Sequence, residues 1–541
     1  MYCSLTAYIE AKTGQIAAEV IKPPKAEPWE IEGICDAAAE IARAVQEKRP
    51  IYVVGDYDVD GITSTAILSL VIRHFGAEPH IILPRRFSDG YGVKEEMIAG
   101  ITDSLIITID NGISAEGPIA AAKEPEKKNR VVILDHHQPT DAIPCADLVV
   151  DPHIKNDKSV FKEYCGAGLA YKIADVVFDG SRQEEKRLVY SAIVLAAIGT
   201  IADVMPLLGD NRVIVKNALY ILNSEKLRNQ LIPGLIALFP QKNAPFDEEY
   251  IAFTAAPCLN AVGRLYDRGA ESALKTLLSG DMAAALGYVD KLREINERRK
   301  QMVSDWMSYI VPLVEKEKDE NVICISGDGI HEGIVGIIAG RISEEYKRPC
   351  FVFSDTGNGS MKGSARSYGE IDLIPLFDHI REDCVNIGGH AGAGGLTVES
   401  ARFTEITGKI QKYGKENFPV PANEEQTEWD FEMSAEELPK FLEEQQRYAP
   451  FGEGIPKPVI CVKGYKKTYR MTKIGQADHM MLGSSGKHVK LFNEYCDAIG
   501  FDLAEEYAKH AEEETHDLIG SVGYNAFNGS ITPQFQIKGF I

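Results

Sequence analysis

Residues Arg49–His80 read "RPIYVVGDYDVDGITSTAILSLVIRHFGAEPH", a β-branched run that passes through Asp56, Asp58 and Asp60 into a long apolar segment. Side chains at alternate positions of an extended segment point the same way, so this spacing presses three carboxylates together. Like charges so placed are costly unless cations neutralise them. The stretch therefore predicts a metal site at the end of a strand.

The surrounding text repeats the theme. Between about Glu32 and Val150 helical patterns alternate with "IYVVGD", "PHIILP", "LIITID", "RVVILD" and "ADLVVD". Strands alternating with helices predict βαβ units and a parallel sheet, an α/β fold. Four of the five runs end in an acidic residue. Ligands of open α/β sheets bind beyond the carboxyl ends of the strands, so Asp56, Asp110 and Asp135 are expected in one crevice.

At 541 residues the chain exceeds one ordinary core, and three or four units are expected. Its 45% hydrophobic and 26% charged content is that of a soluble globular protein. No apolar run is long enough to span a bilayer. The best, from Ser191, is broken by Asp203 and reads as a buried helix. "MYCSLTAYIEAKTGQ" has no basic segment followed by an apolar one, so a cytoplasmic location without membrane attachment is expected. Ten scattered cysteines without a Cys-x-x-Cys pair argue against a zinc ribbon or a disulfide framework. The formal charge of −22 repels polyanions globally, so any nucleic-acid role must rest on local basic surfaces or on metal ions.

Four units follow from the pattern. Residues 1–280 hold the acidic strands and a mostly helical continuation, 281–320 a long polar connector helix, and 321–422 a second, smaller α/β unit. Residues 423–541 hold an acidic linker and a run of short strands that suggests a small β-barrel of the OB type.

The chemistry gathers at a few places. "VVILDHHQPT" supplies Asp135, His136 and His137, "LIITIDNGIS" supplies Asp110, and "AAIGTIADVMPL" supplies Asp203. Carboxylate with imidazole suits Mn²⁺ or a similar ion, whereas oxygen ligands alone favour Mg²⁺ or Ca²⁺. Adjacent histidines in a strand diverge, so one of the two is expected as a direct ligand. The set suffices for two metals about 4 Å apart, which activate water and stabilise an in-line phosphoryl transition state. A single Asp after a strand is more often a helix cap or turn former, and that reading weighs on Asp110 or Asp203 alone. The ordered combination carries the claim.

Around it lie candidate phosphate groups. "NIGGHAGAGGLTV" offers Gly388 and Gly389 for close backbone approach and His390 for the scissile group, although a tight turn is the plainer reading. Ser364 and Arg366 in "KGSARS", Arg264 in "NAVGRL" and Arg86 in "LPRRFSDGYG" can grip phosphate by charge-assisted bonds. A surface ion pair competes for each arginine. In "KGYKKTYRMTK", Lys463, Lys466, Lys467, Arg470 and Lys473 interleave with Tyr465 and Tyr469, a pattern suited to single strands or to a solvated hairpin.

Taken in order, "GDYDVDG", "TIDNG", "LDHH" and "IGTIADVMPL" resemble the four motifs of the DHH phosphoesterase superfamily, and "GSARS" with "GGHAGAGG" resembles its DHHA1 domain. "CLNAVGRL", "GIHEGIVGIIAGRI" and "FGEGIPKPV" leading into "SVGYNAFNG" place the chain near the single-strand-specific 5′ to 3′ DNA exonucleases of that superfamily. The resemblance runs from about Ile51 to the C-terminus. It implies a DHH catalytic domain, a DHHA1 substrate-binding domain and an OB-like nucleic-acid-binding domain. It implies Asp58, Asp60, Asp110, Asp135, His136 and Asp203 as metal ligands, with Asp56 and His137 in direct or supporting roles. Two Mn²⁺ or Mg²⁺ ions, a single-stranded DNA substrate and release of 5′-mononucleotides in recombination and repair follow as expectations. A single-strand-binding protein and a helicase are expected partners of a monomeric enzyme.

Rival readings are a small-substrate DHH phosphodiesterase acting on short oligonucleotides or cyclic dinucleotides, and a non-catalytic replication scaffold of the same fold. The C-terminal strands argue against the first and the intact motif carboxylates against the second.

Overall fold

The computed structural model describes residues 1–140, 142–178, 180–242, 244–418, 428–472, 475–483, 486–527 and 530–541, with the side chains of 526 and 527 not described. Five parallel strands, β1 (Ile51–Val54), β2 (His80–Ile82), β3 (Leu105–Ile109), β4 (Arg130–Leu134) and β5 (Leu148–Val150), pair in the order β2-β1-β3-β4-β5. Every residue of β3 is buried. A parallel sheet is covered on both faces, which is why these strands are unbroken Ile, Leu and Val runs. The strand order reverses between β1 and β3, and the crevice beyond the carboxyl ends at such a point is where ligands bind.

Helices α1 (Ile34–Gln46), α2 (Val59–His74), α3 (Gly166–Val177), α4 (Gln183–Ala202) and α5 (Gly209–Asn223) follow in this unit. Fourteen consecutive residues of α2, Val59–Ile72, are buried. It is hydrophobic all round because α3, α4 and the sheet enclose it. After α6 (Ala256–Leu265) comes α7 (Met282–Glu317), a 36-residue helix with Pro312 inside it. The second α/β unit has β6 (Ile323–Asp328), β7 (Cys350–Asp355), β8 (Ser360–Arg366), β9 (Asn386–His390) and β10 (Ala393–Glu399), in the mixed order β6-β7-β8-β10-β9, with α8 (Glu332–Tyr346) against β7 and β8.

The C-terminal unit contains β11 (Phe431–Met433), β12 (Ile460–Lys466), the small pair β13 (Arg470–Thr472) and β14 (Gly475–Ala477), β15 (His479–Leu482), β16 (His488–Leu491), β17 (Asp497–Gly500), β18 (Thr515–Phe527) and β19 (Ser530–Phe540). Seven of these form one sheet in the order β11-β12-β18-β19-β17-β16-β15.

Two buried cations join the parts. Lys172 pairs with Asp210 at zero exposure and donates to the Ala26 carbonyl (2.6 Å), while Asp210 accepts from Tyr164 (2.6 Å) and the Ala26 amide (3.1 Å). The N-terminal residues are thereby tied to the parallel-sheet unit, a role their sequence does not announce. Arg212 of α5 is fully buried and donates only to carbonyls: Val20 (2.6 Å), Pro450 (2.7 Å), Ala449 (3.0 Å), Leu207 (3.4 Å) and Tyr448. One side chain so closes the N-terminal segment, the loop after Asp203 and the approach to the C-terminal unit onto α5. Burial pushes its pKa down to about 10, so it stays charged at neutral pH.

Arg212→Met leaves those carbonyls without donors, at a cost of about 3 kcal/mol or more. The expected result is a lower first thermal transition and early proteolytic cutting within 446–457, measured by scanning calorimetry and limited proteolysis. Unchanged cutting would remove Arg212 as the tie.

Candidate metal centre and nucleic-acid cleft

The sheet delivers its acids where the strand ends predict. Asp56 follows β1, Asp110 follows β3 and Asp135 follows β4. The "DYDVD" run is not extended, however. Asp58 caps α2, its Oδ1 accepting from the Gly61 amide (3.0 Å), and Asp60 lies in the first turn. A helix starting at Val59 turns Asp60 away from its neighbours, and the three carboxylates divide between two groups.

Asp56 and Asp58 group with Asp110, and Asp60 groups with His136 and Asp203; a third group, Asp110, His136 and His137, shares a member with each. The potential ligand atoms within each lie within 4.8 Å of one another. Asp110 and His136 each belong to two groups, so the triads form one chain of donors. His136 Nε2 lies 3.0 Å from Asp110 Oδ1 and 3.7 Å from both Asp60 Oδ2 and Asp203 Oδ2. The expected divergence of the two histidines is not seen. β4 ends at Leu134, so the pair sits in the following loop, with ring centroids 4.5 Å apart.

Asp135 spends both its oxygens inside the protein. Oδ1 accepts from the His136 amide (2.8 Å) and from His137 Nδ1 (2.7 Å), and Oδ2 from the Ile113 amide (2.9 Å). Asp56 does the opposite: its Oδ1 is buried with no hydrogen-bond partner. An orphaned carboxylate oxygen beside two other carboxylates is what a divalent cation would satisfy, and the donor set fits one.

Glycines make the approach possible. The Asp60 carboxylate accepts from the amides of Gly166 (2.6 Å) and Ala167 (2.9 Å) at the start of α3, where the helix dipole favours a negative charge. A Cβ on Gly166 would stand 2.7 Å from Asp110 Cβ, and one on Gly199 2.6 Å from Asp60 Oδ1. Sequence reasoning missed both glycines, because close approach between distant segments leaves no local pattern. It also missed Tyr91, whose hydroxyl is 2.9 Å from His137 Nε2, and His153, whose Nδ1 is 2.7 Å from the His136 carbonyl. Asp110 has a φ of 61°, a left-handed conformation that Asp tolerates and that aims it at the centre.

Burial, then mutual repulsion, raises the pKa of Asp56, Asp58 and Asp110 and pushes Asp203 up to about 8. Burial alone would raise Asp135 and lower His137. Their hydrogen bond overrides it, holding Asp135 below its usual value and raising His137 to about 9.

The arginines meet next to this centre. Gly333 of α8 presses onto the Arg264 carbonyl of α6, where a Cβ would stand 1.7 Å away. That docking brings the two α/β units together. Burial, then repulsion from Arg86, Arg299 and Arg366, pushes the Arg264 pKa down to about 10. Arg86 sits 4.9 Å over the Tyr57 ring, and its loop is pinned by Asp267, which accepts from the Phe87 (3.0 Å) and Ser88 (3.2 Å) amides. Arg366 Nη1 donates to Ser364 Oγ (3.1 Å). A cleft of about 410 Å³ is lined by Tyr57, Arg86, Ser364, Gly388 and Lys362 among others. His390 stands instead at the exposed end of β9, its Nδ1 accepting from the Gly392 amide (3.3 Å), and no described contact joins it to the carboxylates. Gly389 packs within the β9–β10 pairing against Phe377.

The expected aromatic and basic face of the C-terminal unit is corrected at Tyr465. Tyr465 is wholly buried and donates to the Cys496 carbonyl (2.9 Å), so it offers no stacking surface. Lys463 pairs with Asp517, Lys466 with Glu514, Lys467 with Asp478 and Arg470 with Asp497. Tyr469 remains exposed. Lys473 lies outside the described residues.

A model of the DHH family, N-terminal domain, matches residues 50–200, a DHHA1 domain model matches 319–416, and a RecJ OB domain model matches 429–539. The chain is 31% identical over 462 residues to the single-stranded-DNA-specific exonuclease RecJ of Salmonella typhimurium, covering 80% of this chain and 78% of that one. It is 30% identical over 530 residues to RecJ of Bacillus subtilis, covering 95% of this chain but only 64% of that relative's length. The crystal structure of RecJ in complex with Mn²⁺ from Thermus thermophilus superposes with a TM-score of 0.79 at 28% identity, over 99% of this chain and 75% of that one. The fold is that of a protein with DHH and DHHA1 domains. The chain belongs to the RecJ family of single-stranded-DNA-specific exonucleases. Among the described residues no helix is long and apolar enough to cross a membrane.

Gly166→Ala is expected to weaken Mn²⁺ binding about 10–100-fold, because it displaces Asp110 and Asp60. Titration of the metal followed by electron paramagnetic resonance measures this, and wild-type affinity would contradict it.

The raised carboxylates also set a pH dependence. Folded, these groups keep protons that the unfolded chain has already lost above its ordinary carboxylate range, Asp203 up to about 8, so their contribution to stability falls as pH rises above that range. The Asp135–His137 pair contributes oppositely at the acid end, since a depressed carboxylate loses its contribution as pH falls, and its histidine loses its own as pH rises through about 9. Metal competes with the protons. Mn²⁺ should therefore raise the melting temperature more at pH 8 than at pH 5.5, relative to EDTA. An equal rise at both values would exclude proton–metal competition.

Proposed function

We propose that the chain is a Mn²⁺- or Mg²⁺-dependent nuclease that removes 5′-mononucleotides from the 5′ end of single-stranded DNA, working as a monomer in recombination and repair beside a single-strand-binding protein and a helicase. The observation that carries this reading is the chain of overlapping acid and histidine triads next to Arg264 and the three arginines that repel it. The family relationship supports the substrate class. The small-substrate reading gives no use to residues 429–539.

Asp56, Asp58 and Asp110 would hold one ion, and Asp60, His136 and Asp203, with Asp110 reaching both, a second. Asp135 is better suited to orienting His137 and the loop than to direct ligation, given its satisfied oxygens. When bound, the ions would supply activation of water and neutralisation of the charge that develops on the phosphoryl oxygens. The remaining work falls to the chain. A two-ion centre is indifferent to which strand end it meets, so polarity needs a stop at a fixed distance. A terminal phosphate carries more charge than an internal diester. Arg366, held by Ser364, with Arg86 and Arg264, is placed to grip it through planar, bidentate contacts that lysine cannot reproduce. Gly388 leaves the cleft wall bare for close approach.

Strands labelled at either end, incubated with Mn²⁺, Mg²⁺ or EDTA, test the reading directly: label should be released first from the 5′ end, and only with metal. Release from the 3′ end first would overturn the polarity. Arg366→Ala should lower cleavage of 5′-phosphorylated strands by roughly one to two orders of magnitude and of 5′-hydroxyl strands by less. An unchanged ratio would remove Arg366 from the phosphate site.

A further inference from the structure

Of the three arginines that repel Arg264, Arg86 acts most strongly. Its loop must therefore be held in place against a like charge. A carboxylate paired with the guanidinium would do this, but it would also occupy the charge that a phosphate requires. The structure holds the loop differently. Arg86 makes no ion pair among the described residues, and its guanidinium lies 4.9 Å over the ring of Tyr57 in the cleft wall.

The hold comes from Asp267. Its Oδ1 accepts from the amides of Phe87 (3.0 Å) and Ser88 (3.2 Å), and its Oδ2 from the Ser88 hydroxyl (2.9 Å). One carboxylate so grips two successive residues of the turn that carries Arg86 and leaves the guanidinium free. The turn moves as one piece, because the Arg85 amide donates to Asp89 Oδ2 (2.8 Å) while the Asp89 and Gly90 amides donate to the Arg85 carbonyl (3.0 and 3.1 Å). Asp267 is equally fixed on its own side. It stands just beyond the end of α6, whose last turn carries Arg264, in a chain reversal so tight that a Cβ on Gly269 would stand 2.0 Å from the Val262 carbonyl oxygen. Phe87 also meets His331 edge-on at the start of α8, with ring centroids 5.6 Å apart, which sets the same turn against the second α/β unit.

We infer that Asp267 is a positioning residue for phosphate recognition, fixing Arg86 at a set place relative to Arg264 without neutralising either cation. The inference rests on the reading of the arginines as the grip on a terminal phosphate. A planar guanidinium holds two phosphate oxygens only in one orientation, so the value of Arg86 depends on where its turn is anchored. Ser88 is exposed, so water can take the place of the carboxylate there and the fold itself does not depend on the contact. An anchor that serves the fold alone acts alike on every substrate. One that acts through Arg86 acts on strands that present a terminal phosphate.

The test is a double-mutant cycle on the full chain with Mn²⁺, reading kcat and KM on one oligonucleotide carrying either a 5′-phosphate or a 5′-hydroxyl, with melting temperatures measured alongside. Asp267→Ala is expected to lower kcat/KM about tenfold on the phosphorylated strand, chiefly through KM, and about twofold or less on the hydroxyl strand. In an Arg86→Ala background it should cost nothing further, because two changes that remove one contact do not add. Asp267→Asn, which keeps an acceptor oxygen for the two amides, should restore most of the phosphate preference. Asp267→Glu keeps the charge but lengthens the stem and displaces the turn, so it should lower that preference, and it carries the comparison if the alanine variant fails to fold. Unchanged kinetics, an equal loss on both strands, or a loss that persists in the Arg86→Ala background would make Asp267 an ordinary loop anchor and overturn the inference. If the wild type degrades both strands with no preference for the 5′-phosphate, the phosphate reading has failed, and the inference falls with it.

Discussion

The structure turns on the repulsion among carboxylates buried beyond the carboxyl ends of one parallel sheet. Asp56, Asp58, Asp60, Asp110 and Asp203 carry like charge in a space with little water, and burial raises the pKa of four of them. Nothing in a hydrophobic core would keep them together. They are held by what surrounds them: strands too well packed to shift, the start of α3 facing Asp60, and glycines at 61, 166 and 199 that let backbone approach where any side chain would collide. Cations bound there would offset the cost of that arrangement, which would couple metal affinity to pH and to stability.

A second electrostatic problem is solved beside the first. The chain carries a formal charge of −22, yet Arg86, Arg299 and Arg366 all repel Arg264. They come from four separate segments, and Arg264 and Arg366 are brought together because Gly333 and Gly336 allow α8 to lie directly on α6 and β8. Opposed clusters of acid and base, each unfavourable alone, make a surface complementary to metal and phosphate together.

The C-terminal unit is attached through polar contacts to the loop that follows Asp203. Arg212 donates to Leu207 and to Tyr448, Ala449 and Pro450, and the Leu207 amide donates to the Glu453 carbonyl. Displacements at the entrance to that unit therefore act on the chain immediately after a proposed metal ligand. That physical link runs through single hydrogen bonds to backbone.

Much of this was legible in residues. The Ile, Leu and Val runs announced a buried parallel sheet, because only a strand covered on both faces needs no polar side. The acids closing those runs announced the crevice, and the ordered motifs announced the family. Asp135 was legible as a site residue, but its oxygens are taken by His137 and backbone amides, and Asp56, read in a direct or supporting role, keeps the free one. Local spacing could not assign those roles, nor show that α2 begins at Val59 and parts Asp60 from Asp58. It could not tell that Tyr465 lies in the core while Tyr469 does not, since both are aromatic residues in one short ambiguous run. The sequence by itself determined which elements form and which chemistry is present, because periodicity and residue type act over a few positions. Only the tertiary structure decided which oxygens are free, which cations are paired and which apolar surface stays open, because those depend on contacts between residues far apart in the chain.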